Sequence, residues 1–404
     1  MIKEPAKSLE VKDSYDVVIA GGGIAGISAA LAAKRQGKRV LLIEREYLLG
    51  GLATLGLITI YLPLCDGKGR RVIYGTGEEL MRLAFSHGAE KPLSSAWIKQ
   101  LDGIDVPREE LCASRCRCRY NASLFALLAE EKLLSESVDI LYGTTVVGAI
   151  VKRQKVTNLI VENKSGRYAI GVGSVVDATG DADIAKLCGA ETAVFGQGNV
   201  LAGWYYFGSE KAANELKILG ASDIPDDEKS EEEKQNDTRR RFSGLDAGEI
   251  SEQVCLSHSS TLEHFLKNGD LSPSHTLNSV ATVPQIRMTR RIVGRETLST
   301  DSPHEERSDS VGLFPDWRKK GPVYELPFGA LCSKDIKNLI AAGRNISTTD
   351  SMWDITRVIP VCAVSGEAAG TAAAMSNDFG RLSLRRLQSA LRQNGVKLHE
   401  KEIK

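Results

Sequence analysis

Three glycines near the N-terminus have the spacing of a phosphate-binding turn. Gly21, Gly23 and Gly26 follow an apolar run at 17–20 and open a small-residue segment at 24–35. This order predicts a strand, a tight turn and a helix whose N-terminal N–H groups face a pyrophosphate. Glu44 ends the next apolar run, where a carboxylate would bind the hydroxyls of an unphosphorylated ribose. We therefore favour a dinucleotide site over an ordinary glycine-rich turn.

Two further glycine-containing segments could follow the same ligand. Gly50 and Gly51 come a few residues after Glu44 and are followed by small residues, which indicates backbone running close to a ligand. An ordinary left-handed turn is the alternative. The segment 178–180 ends another buried apolar run at 174–177. Because ligands of open parallel sheets bind at the carboxyl ends of strands, we expect it beside the first turn.

A cysteine-rich segment is the third candidate for chemistry. Cys112, Cys116 and Cys118 alternate with arginines, which would lower the pKa values of the thiols. Three thiols could ligate a metal or an iron–sulfur cluster. A fourth ligand at motif spacing is absent, so we favour reduced thiols and expect no metal site.

Composition limits the possible partners. The chain has 404 residues with 52 basic and 52 acidic side chains. No net field would draw it to nucleic acid or to an anionic membrane, so we expect a small-molecule substrate. The start of the chain is polar, and eight cysteines occur without an export signal. We expect no membrane span and a cytoplasmic location; the oligomeric state is unknown.

The periodicity predicts the elements that must position these residues. A first strand–helix–strand unit covers 15–45, and residues 1–14 form a loose lead-in. The remaining regular elements are expected as helices at 75–85, 121–134, 249–268 and 360–375, strands at 138–142, 144–151, 174–177 and 338–342, and a hairpin at 157–170.

Other segments carry weaker patterns. We expect irregular strands or loops over a ligand at 87–114 and a mobile loop or solvated helix at 226–241. The run 280–290 predicts a strand that Pro284 breaks or places at an edge.

The order of motifs resembles FAD-dependent oxidoreductases with the glutathione-reductase-type (GR2-like) flavin fold, related to fumarate reductase and thiazole-synthase flavoproteins. The resemblance rests on the glycine turn with Glu44, on 50–54 and 176–181, and on the C-terminal segments 341–344, 357–360 and 366–373. It implies an α/β fold: a Rossmann-like FAD-binding domain, with a mainly parallel sheet and a small antiparallel hairpin crossover, and an inserted mixed α+β cap domain. We assign 1–86, 115–195 and 325–404 to the FAD-binding domain, and 87–114 and 196–324 to the substrate or cap domain.

The resemblance also implies noncovalent FAD and its binding residues. Gly21, Gly23 and Gly26 would face the pyrophosphate, Glu44 the ribose, and Val146 or Val147 the adenine. The helix after Pro360 would point its N-terminus at the flavin ring. Arg344 departs from the family pattern, in which an acid binds the ribityl chain. The full implied set is Gly21, Gly23, Ile24, Ala25, Gly26, Glu44, Arg45, Gly50, Gly51, Ala53, Thr54, Val146, Val147, Ala178, Thr179, Gly180, Gly343, Arg344, Ile359, Val361 and Cys362.

Flavin supplies electron transfer, so the protein has to supply charge and orientation. Guanidinium groups clamp a carboxylate or polarise a carbonyl, which makes arginines the leading catalytic candidates. The candidates are Arg287, Arg290, Arg291 and Arg357, each with surface or structural ion pairing as the alternative. His258, His264 and His275 are more readily explained as surface residues than as a general base.

We expect an FAD-dependent oxidoreductase that transfers a hydride between flavin N5 and a small polar or anionic substrate. The electron donor or acceptor is unknown. One alternative is an electron-transfer or redox-sensing flavoprotein subunit that acts with a partner protein. The other is an NAD-dependent dehydrogenase without flavin, against which the segments 50–51 and 178–180 argue.

Overall fold

The computed structural model of the chain describes residues 2, 8–220, 223–237, 239–267 and 273–403. Within these ranges the strands are β1 (Val11–Ala20), β2 (Val40–Ile43), β3 (Ile60–Tyr61), β4 (Cys118–Arg119), β5 (Asp139–Leu141), β6 (Thr145–Lys152), β7 (Lys155–Asn163), β8 (Gly166–Asp177), β9 (Thr192–Val194), β10 (Asn199–Val200), β11 (Tyr205–Gly208), β12 (Glu215–Lys217), β13 (Arg241–Phe242), β14 (Thr276–Val280), β15 (Arg290–Ile292), β16 (Ser310–Pro315), β17 (Val323–Pro327) and β18 (Leu339–Ala341). The α-helices are α1 (Ile24–Arg35), α2 (Thr76–Phe85), α3 (Ser95–Leu101), α4 (Arg108–Cys112), α5 (Ala122–Ser135), α6 (Asp183–Leu187), α7 (Glu231–Asn236), α8 (Ala247–Lys267), α9 (Asp350–Thr356), α10 (Ile359–Met375) and α11 (Leu384–Gln393).

The central sheet is mainly parallel. Its order is β5-β2-β1-β8-β7-β6, and β18 also pairs with β8. The pairs of β1 with β2 and β8, of β2 with β5, and of β18 with β8 are parallel. Strands β6, β7 and β8 form an antiparallel meander. The predicted parallel sheet with its antiparallel hairpin is therefore confirmed.

The parallel register brings four strand ends to one edge of the sheet. Ala20 at the end of β1 lies opposite both Ile43 and Asp177, and Ala341 also lies opposite Asp177. The residues that follow these strands therefore meet at that edge. This is the expected position of a ligand in an open parallel sheet.

Two helices of small residues pack closely beside the sheet. A Cβ atom on Gly366 of α10 would lie 2.3 Å from the Ala25 carbonyl oxygen, and one on Gly370 would lie 2.1 Å from that of Ala29. Only glycine allows the backbones of α1 and α10 to approach so closely. The predicted close packing of α10 on a neighbour is confirmed, although the helix begins at Ile359 rather than at Pro360.

The inserted region is mixed α+β, as predicted. It contains the small antiparallel sheets β10–β13 and β12–β11–β14, together with α7 and α8. Helix α8 matches the amphipathic helix predicted at 249–268. The last residue of the predicted helix, Asn268, lies outside the described residues. We retain the domain boundaries as a proposal.

Residues 87–114 contain two short helices, α3 and α4, between irregular segments, so the expectation of strands or loops is wrong for these two parts. The side chain of Ser94 caps α3, and the fully buried Trp97 donates its indole N–H to the Ser114 carbonyl at 2.9 Å. Trp97 joins the main hydrophobic core, which explains why this segment is helical. No described residue of 87–114 lines the cavity at the edge where the parallel strands end.

Three further expectations need correction. Residues 281–289 form no strand, because their backbone N–H groups find other partners: Thr282 donates to the Leu55 carbonyl, and Arg287 donates to the Asn199 side chain. The lead-in is shorter than expected, since β1 begins at Val11, opposite Ala169; residues 1 and 3–7 lie outside the described residues.

The polar segment 226–241 contains an exposed helix, α7, as one of its two expected forms required, so only the alternative of a mobile loop needs correction. It contains a short 3-10 helix at Asp226–Glu228, helix α7 and the start of β13. The Lys229 ammonium pairs with carboxylates of Asp223, Asp226 and Asp237, which ties the segment together. Residue 238 of this segment lies outside the described residues.

Across the described ranges, no single helix is both long and apolar enough to cross a membrane. Helices α9 and α10 satisfy length and composition only as a pair, with a bend of 91° between them.

Candidate functional site

A cavity of about 420 Å³ opens at the edge where the parallel strands end. It is lined by residues after β1, β2, β8 and β18, by the start of α10, and by residues of the inserted region. The implied cofactor-binding residues that line it are Gly21, Gly23, Ile24, Ala25, Glu44, Arg45, Gly50, Gly51, Ala53, Val146, Ala178, Thr179, Gly180, Gly343, Arg344, Ile359 and Cys362.

The first glycine turn has the geometry of an anion cradle. Gly21 has φ +101°, and a Cβ there would lie 2.5 Å from the Ala178 carbonyl oxygen. A Cβ on Gly26 would lie 1.9 Å from the Gly21 carbonyl oxygen, whereas one on Gly23 would meet no described atom within 4 Å. Gly23 caps α1 without a side-chain hydrogen bond from the described residues. The start of α1 is thus open to a ligand and carries the positive end of the helix dipole.

The second glycine pair lies directly against the first turn. Gly50 donates its backbone N–H to the Gly22 carbonyl at 2.8 Å and forms an isolated parallel bridge with Gly23. Gly50 and Gly51 have φ values of +102° and +55°. The left-handed geometry offered as the alternative is therefore present, and the pair also borders the cavity.

Glu44 is buried and fixed by backbone donors. Its carboxylate accepts N–H bonds from Gly22 at 2.6 Å and from Glu46 at 2.9 Å. Burial raises the pKa of Glu44, and the two N–H bonds oppose that rise. The acid therefore stands against the first glycine turn, with its position set by the loop itself.

Asp177 organises the third loop from within the sheet. Its carboxylate accepts hydrogen bonds from the Thr179 hydroxyl at 2.7 Å, the Ala185 N–H at 2.9 Å and the Asn345 amide at 3.0 Å. Burial raises the pKa of Asp177 to about 6. One acid thus holds the loop 178–180 against α6 and the segment after β18.

Arg344 is paired with an acid that also borders the cavity. Its guanidinium donates to Asp181 at 3.1 Å and to the Ile286 carbonyl, and Asp181 also accepts the Thr289 hydroxyl at 2.6 Å. A Cβ on Gly180 would lie 2.4 Å from the Arg344 Nε atom, so glycine lets the arginine cross this loop. Asp181 is therefore the acid that pairs with Arg344 at the cavity.

The start of α10 forms another wall of the cavity. Ile359 and Cys362 line it, and no side chain among the described residues caps the helix at Val358. Burial raises the pKa of Cys362 to about 12, so its thiol stays protonated at neutral pH. The free helix N-terminus presents positive partial charge to the cavity.

Of the four arginines predicted to act on a substrate, Arg357 lines the cavity. Arg290 instead donates to Asp183 at 2.6 Å and to the Asp181 carbonyl. Arg291 pairs with Asp350 at 3.0 Å and lies over the Trp353 ring. Arg287 is buried, is not among the lining residues, and stands over the Trp204 ring at 5.3 Å.

Four implied cofactor residues are not among those that line the cavity. Gly26 packs against Gly21, and the Thr54 hydroxyl donates to the Leu49 carbonyl at 2.5 Å. Val147 and Val361 also lie outside the lining. Val146, the other candidate for the adenine contact, does line it.

Sequence reasoning expected the inserted region to cover the substrate but did not identify its lining residues. Gly244, Ile250, Val283, Pro284 and Ile286 close the cavity from that side. They fall in two short segments that carry no motif, so a single sequence offers no signal for them. Further lining residues outside the implied set are Ala20, Ile43, Glu46, Leu52, Thr144, Thr145, Asp181, Asp183, Ile184, Thr289 and Ala342.

The cysteine segment does not form an activated thiol cluster. Cys116 and Cys118 are buried, and burial raises the pKa of both, to about 12 for Cys118. The expected lowering by neighbouring arginines is therefore wrong for these two thiols, because Arg115 instead donates to the Trp317 and Lys319 carbonyls. In the part of the chain that the structure describes, no three His, Cys, Asp or Glu residues are grouped to hold a metal ion.

The three histidines lie away from the cavity lining. His258 is exposed on α8, and the His264 Nδ1 atom is 2.9 Å from the Tyr205 hydroxyl. The His275 ring stacks on Phe265. Their placement gives them structural contacts in the inserted region.

A family model described as FAD dependent oxidoreductase matches residues 16–202 and 301–391, more than half of the chain. The chain belongs to the FAD-dependent oxidoreductase family. The matched segments include the two glycine loops, the loop after β8 and the start of α10. This oxidoreductase uses FAD, and the family match argues against the dehydrogenase without flavin.

Individual relatives are distant. A thioredoxin reductase from Ureaplasma parvum is 33% identical over 75 residues, which cover 19% of this chain and 24% of that protein. The solved structure of a geranylgeranyl bacteriochlorophyll reductase-like protein from Thermoplasma acidophilum gives a TM-score of 0.48 at 12% identity, covering 94% of this chain and 84% of that one. A flavocytochrome c3 fumarate reductase in its open conformation gives a TM-score of 0.41 at 15% identity, covering 90% and 78%.

The cavity fits an extended dinucleotide. Its open turn at Gly23 suits a pyrophosphate, and the fixed acid Glu44 borders that turn. From there the lining continues past the second glycine pair to α10 and Arg357. When bound, FAD supplies the two-electron chemistry, and the chain supplies position and charge around it.

Proposed function

We propose that this oxidoreductase transfers a hydride between flavin N5 and a small anionic substrate whose carboxylate is held by Arg357 at the cavity wall, with the buried positive charge of Arg287 as a second source of attraction. The observation that carries the proposal is the state of Arg287. The residue is 8% exposed, and among the described residues its guanidinium makes one hydrogen bond, a long one of 3.5 Å to the Gln285 carbonyl. Within the described ranges, no carboxylate forms an ion pair with it.

The charges around Arg287 do not balance. Arg344 pairs with Asp181 and Arg357 pairs with Asp354, which leaves the Arg287 guanidinium as an uncompensated positive charge. Burial, with repulsion from Arg357, lowers the pKa of Arg287 to about 9, so the group remains charged at neutral pH. A buried unpaired charge is costly, and an anionic ligand would compensate it.

The role proposed for these residues is binding and orientation. Guanidinium groups form strong charge-assisted hydrogen bonds to a carboxylate, and the apolar residues Val283, Pro284 and Ile286 exclude water around the reacting atoms. A two-electron oxidation moves one hydride from a substrate carbon to N5, and a reduction moves it back. The second redox partner that completes turnover is not identified.

We further propose noncovalent FAD with its pyrophosphate at Gly23 and Ile24. In this arrangement Glu44 binds the adenosine ribose, Val146 borders the adenine, and Ile359 and Cys362 border the flavin ring. The support is that all of these residues line one cavity, at the edge where the parallel strands end.

An anaerobic screen tests the proposal. The FAD-loaded protein is mixed with hydroxy and amino acids and, as matched controls, with the amide of each compound. We expect at least one acid to bleach the oxidised flavin while its amide does not, and Arg287→Met to lose that discrimination. Bleaching by neutral compounds alone, or by a protein partner and no small molecule, would overturn the proposal.

A further inference from the structure

A row of alternating charges joins the inserted region to the cavity wall. The Arg318 guanidinium lies 3.0 Å from a Glu228 oxygen and 3.4 Å from Asp354 Oδ2. Asp354 Oδ1 in turn accepts from Arg357 Nε at 3.1 Å and from Arg357 Nη2 at 2.5 Å. Glu228, Arg318, Asp354 and Arg357 thus form one connected series that ends on the cavity.

The inner part of this series is held firmly. Asp354 is 3% exposed, and its backbone carbonyl accepts the Trp317 indole N–H at 3.0 Å. Arg318 is fixed from another side by the buried Asp316, at 3.2 Å. Two nitrogens of Arg357 share one carboxylate oxygen, and among the described residues its guanidinium hydrogen-bonds to Asp354 alone.

The outer part belongs to residues 223–237, which we name the acidic arm. The arm rests on the start of α9, where the backbone N–H of Ser351 donates to Asp227 at 3.1 Å. Lys229 joins Asp223 and Asp237 within the arm. Glu228 therefore reaches Arg318 from a segment that is itself tied together and anchored on α9.

We propose that Asp354 is the positioning residue for Arg357, and that Glu228, acting through Arg318, sets how firmly Asp354 is held, so that the acidic arm tunes binding of the substrate carboxylate. The inference rests on the proposed function for the substrate, but its first test needs no substrate. A carboxylate that accepts hydrogen bonds from two nitrogens of Arg357 both orients the guanidinium and lowers its mobility.

The expected effects follow the order of the series. Loss of the Asp354 charge leaves Arg357 without its ionic partner, so its effect is the largest. Loss of the Glu228 charge acts through one intermediate cation and from a more exposed position, so its effect is smaller. Because these residues share partners, the double variant should change the logarithm of the Arg357 modification rate by less than the sum of the two single changes.

Modification of Arg357 by phenylglyoxal, followed by peptide mass spectrometry on the FAD-loaded protein, measures this directly. We expect the modification rate to rise about 10-fold in Asp354→Asn and about 3-fold in Glu228→Gln. Asp354→Glu should restore part of the wild-type rate. Glu232→Gln is the matched control, since Glu232 is an exposed acid of the same arm without an ion pair among the described residues.

An unchanged Arg357 rate in both Asp354→Asn and Glu228→Gln would overturn the inference, as would equal effects of Glu228→Gln and Glu232→Gln. If Asp354→Asn fails to fold, Glu228→Gln and Asp354→Glu still decide the outcome. With a substrate from the screen, Asp354→Asn should raise KM more than it lowers kcat. A changed modification rate, together with a screen in which no acid bleaches the flavin, would contradict the proposed substrate and leave the positioning role supported.

Discussion

The two ends of the cavity are built in different ways. At the end near Gly23, backbone atoms of consecutive residues and one acid, Glu44, form the wall. At the end near Arg357, the wall consists of Arg357 and side chains of the loop 282–289, and ion pairs connect Arg357 to Asp354 of α9 and, through Arg318, to the acidic arm. The first end depends on where a Cβ atom fits, and the second on how charges are paired. We therefore expect substitutions at the first end to abolish FAD binding, and substitutions at the second to spare it.

The largest effect is expected at the glycine turn. In Gly26→Ala the new Cβ would lie 1.9 Å from the Gly21 carbonyl oxygen, so the turn must shift. We expect FAD to bind about 100-fold more weakly, which corresponds to about 3 kcal/mol. Fluorescence titration of apoprotein with FAD measures it. Gly196→Ala, where a Cβ meets nothing within 4 Å, is the control, and equal affinity in both variants would contradict the cradle.

Glu367, a buried acid on α10, predicts a pH effect of similar size on the stability of the protein. Glu367 on α10 accepts the backbone N–H and hydroxyl of Thr76, and burial raises its pKa to about 7. An acid whose pKa is raised in the folded state contributes stability that is fully present below the pKa of the unfolded state. That stability is lost as the pH rises from there through the folded-state pKa of about 7. Glu367→Gln stays neutral while retaining an acceptor.

We therefore expect Glu367→Gln to match the wild type near pH 4 and to exceed its free energy of unfolding by about 3 kcal/mol near pH 8. Urea unfolding at both values checks this. Glu162→Gln, at an exposed position on β7, should show no such pH-dependent difference. A constant difference at both pH values would show that Glu367 does not titrate in this range.

Glu44 tests the one side chain on which the first end depends. In Glu44→Gln, an amide NH₂ replaces one of the two carboxylate oxygens. This NH₂ faces a backbone N–H donor, so one of the two hydrogen bonds is lost. We expect about 30-fold weaker FAD binding, corresponding to about 2 kcal/mol. Titration calorimetry compares it with Glu162→Gln. Undiminished affinity would place the ribose elsewhere.

The smallest effect on stability is expected at the second end, where a substitution should stabilise the protein. Arg287→Met removes a buried charge that has no carboxylate partner in the described ranges, and its apolar chain can remain on Trp204. We expect FAD affinity to be unchanged and the free energy of unfolding to rise by about 1 kcal/mol. Arg381→Met, at a side chain that is 89% exposed, is the control. A destabilised, colourless variant would mean that Arg287 supports the fold or FAD.

The contrast between the two ends also explains what the sequence could predict. The strand, glycine turn, small-residue helix and Glu44 are local in sequence, so their geometry follows from backbone conformation and the fixed register of a parallel sheet. The packing of α10 on α1 was similarly predictable, because Gly366 and Gly370 recur at a helical spacing.

The second end could not be predicted in the same way. Arg290 and Arg291 resemble Arg287 in the sequence, but Asp183 and Asp350 neutralise them in the fold. The acid that pairs with Arg344 is Asp181, more than a hundred residues earlier. Such pairings depend on tertiary contacts that leave no periodic pattern, and for the same reason a mobile loop was one of the two forms expected for the segment 226–241.

A crystal structure of the FAD-loaded protein tests the account most directly, through the direction in which the cofactor lies. We expect the pyrophosphate at Gly23 and Ile24, the adenosine ribose at Glu44, and the flavin ring beside Ile359 with Arg357 at its substrate side. FAD bound in the reverse direction, with adenine next to Arg357, or bound outside the cavity, would contradict it.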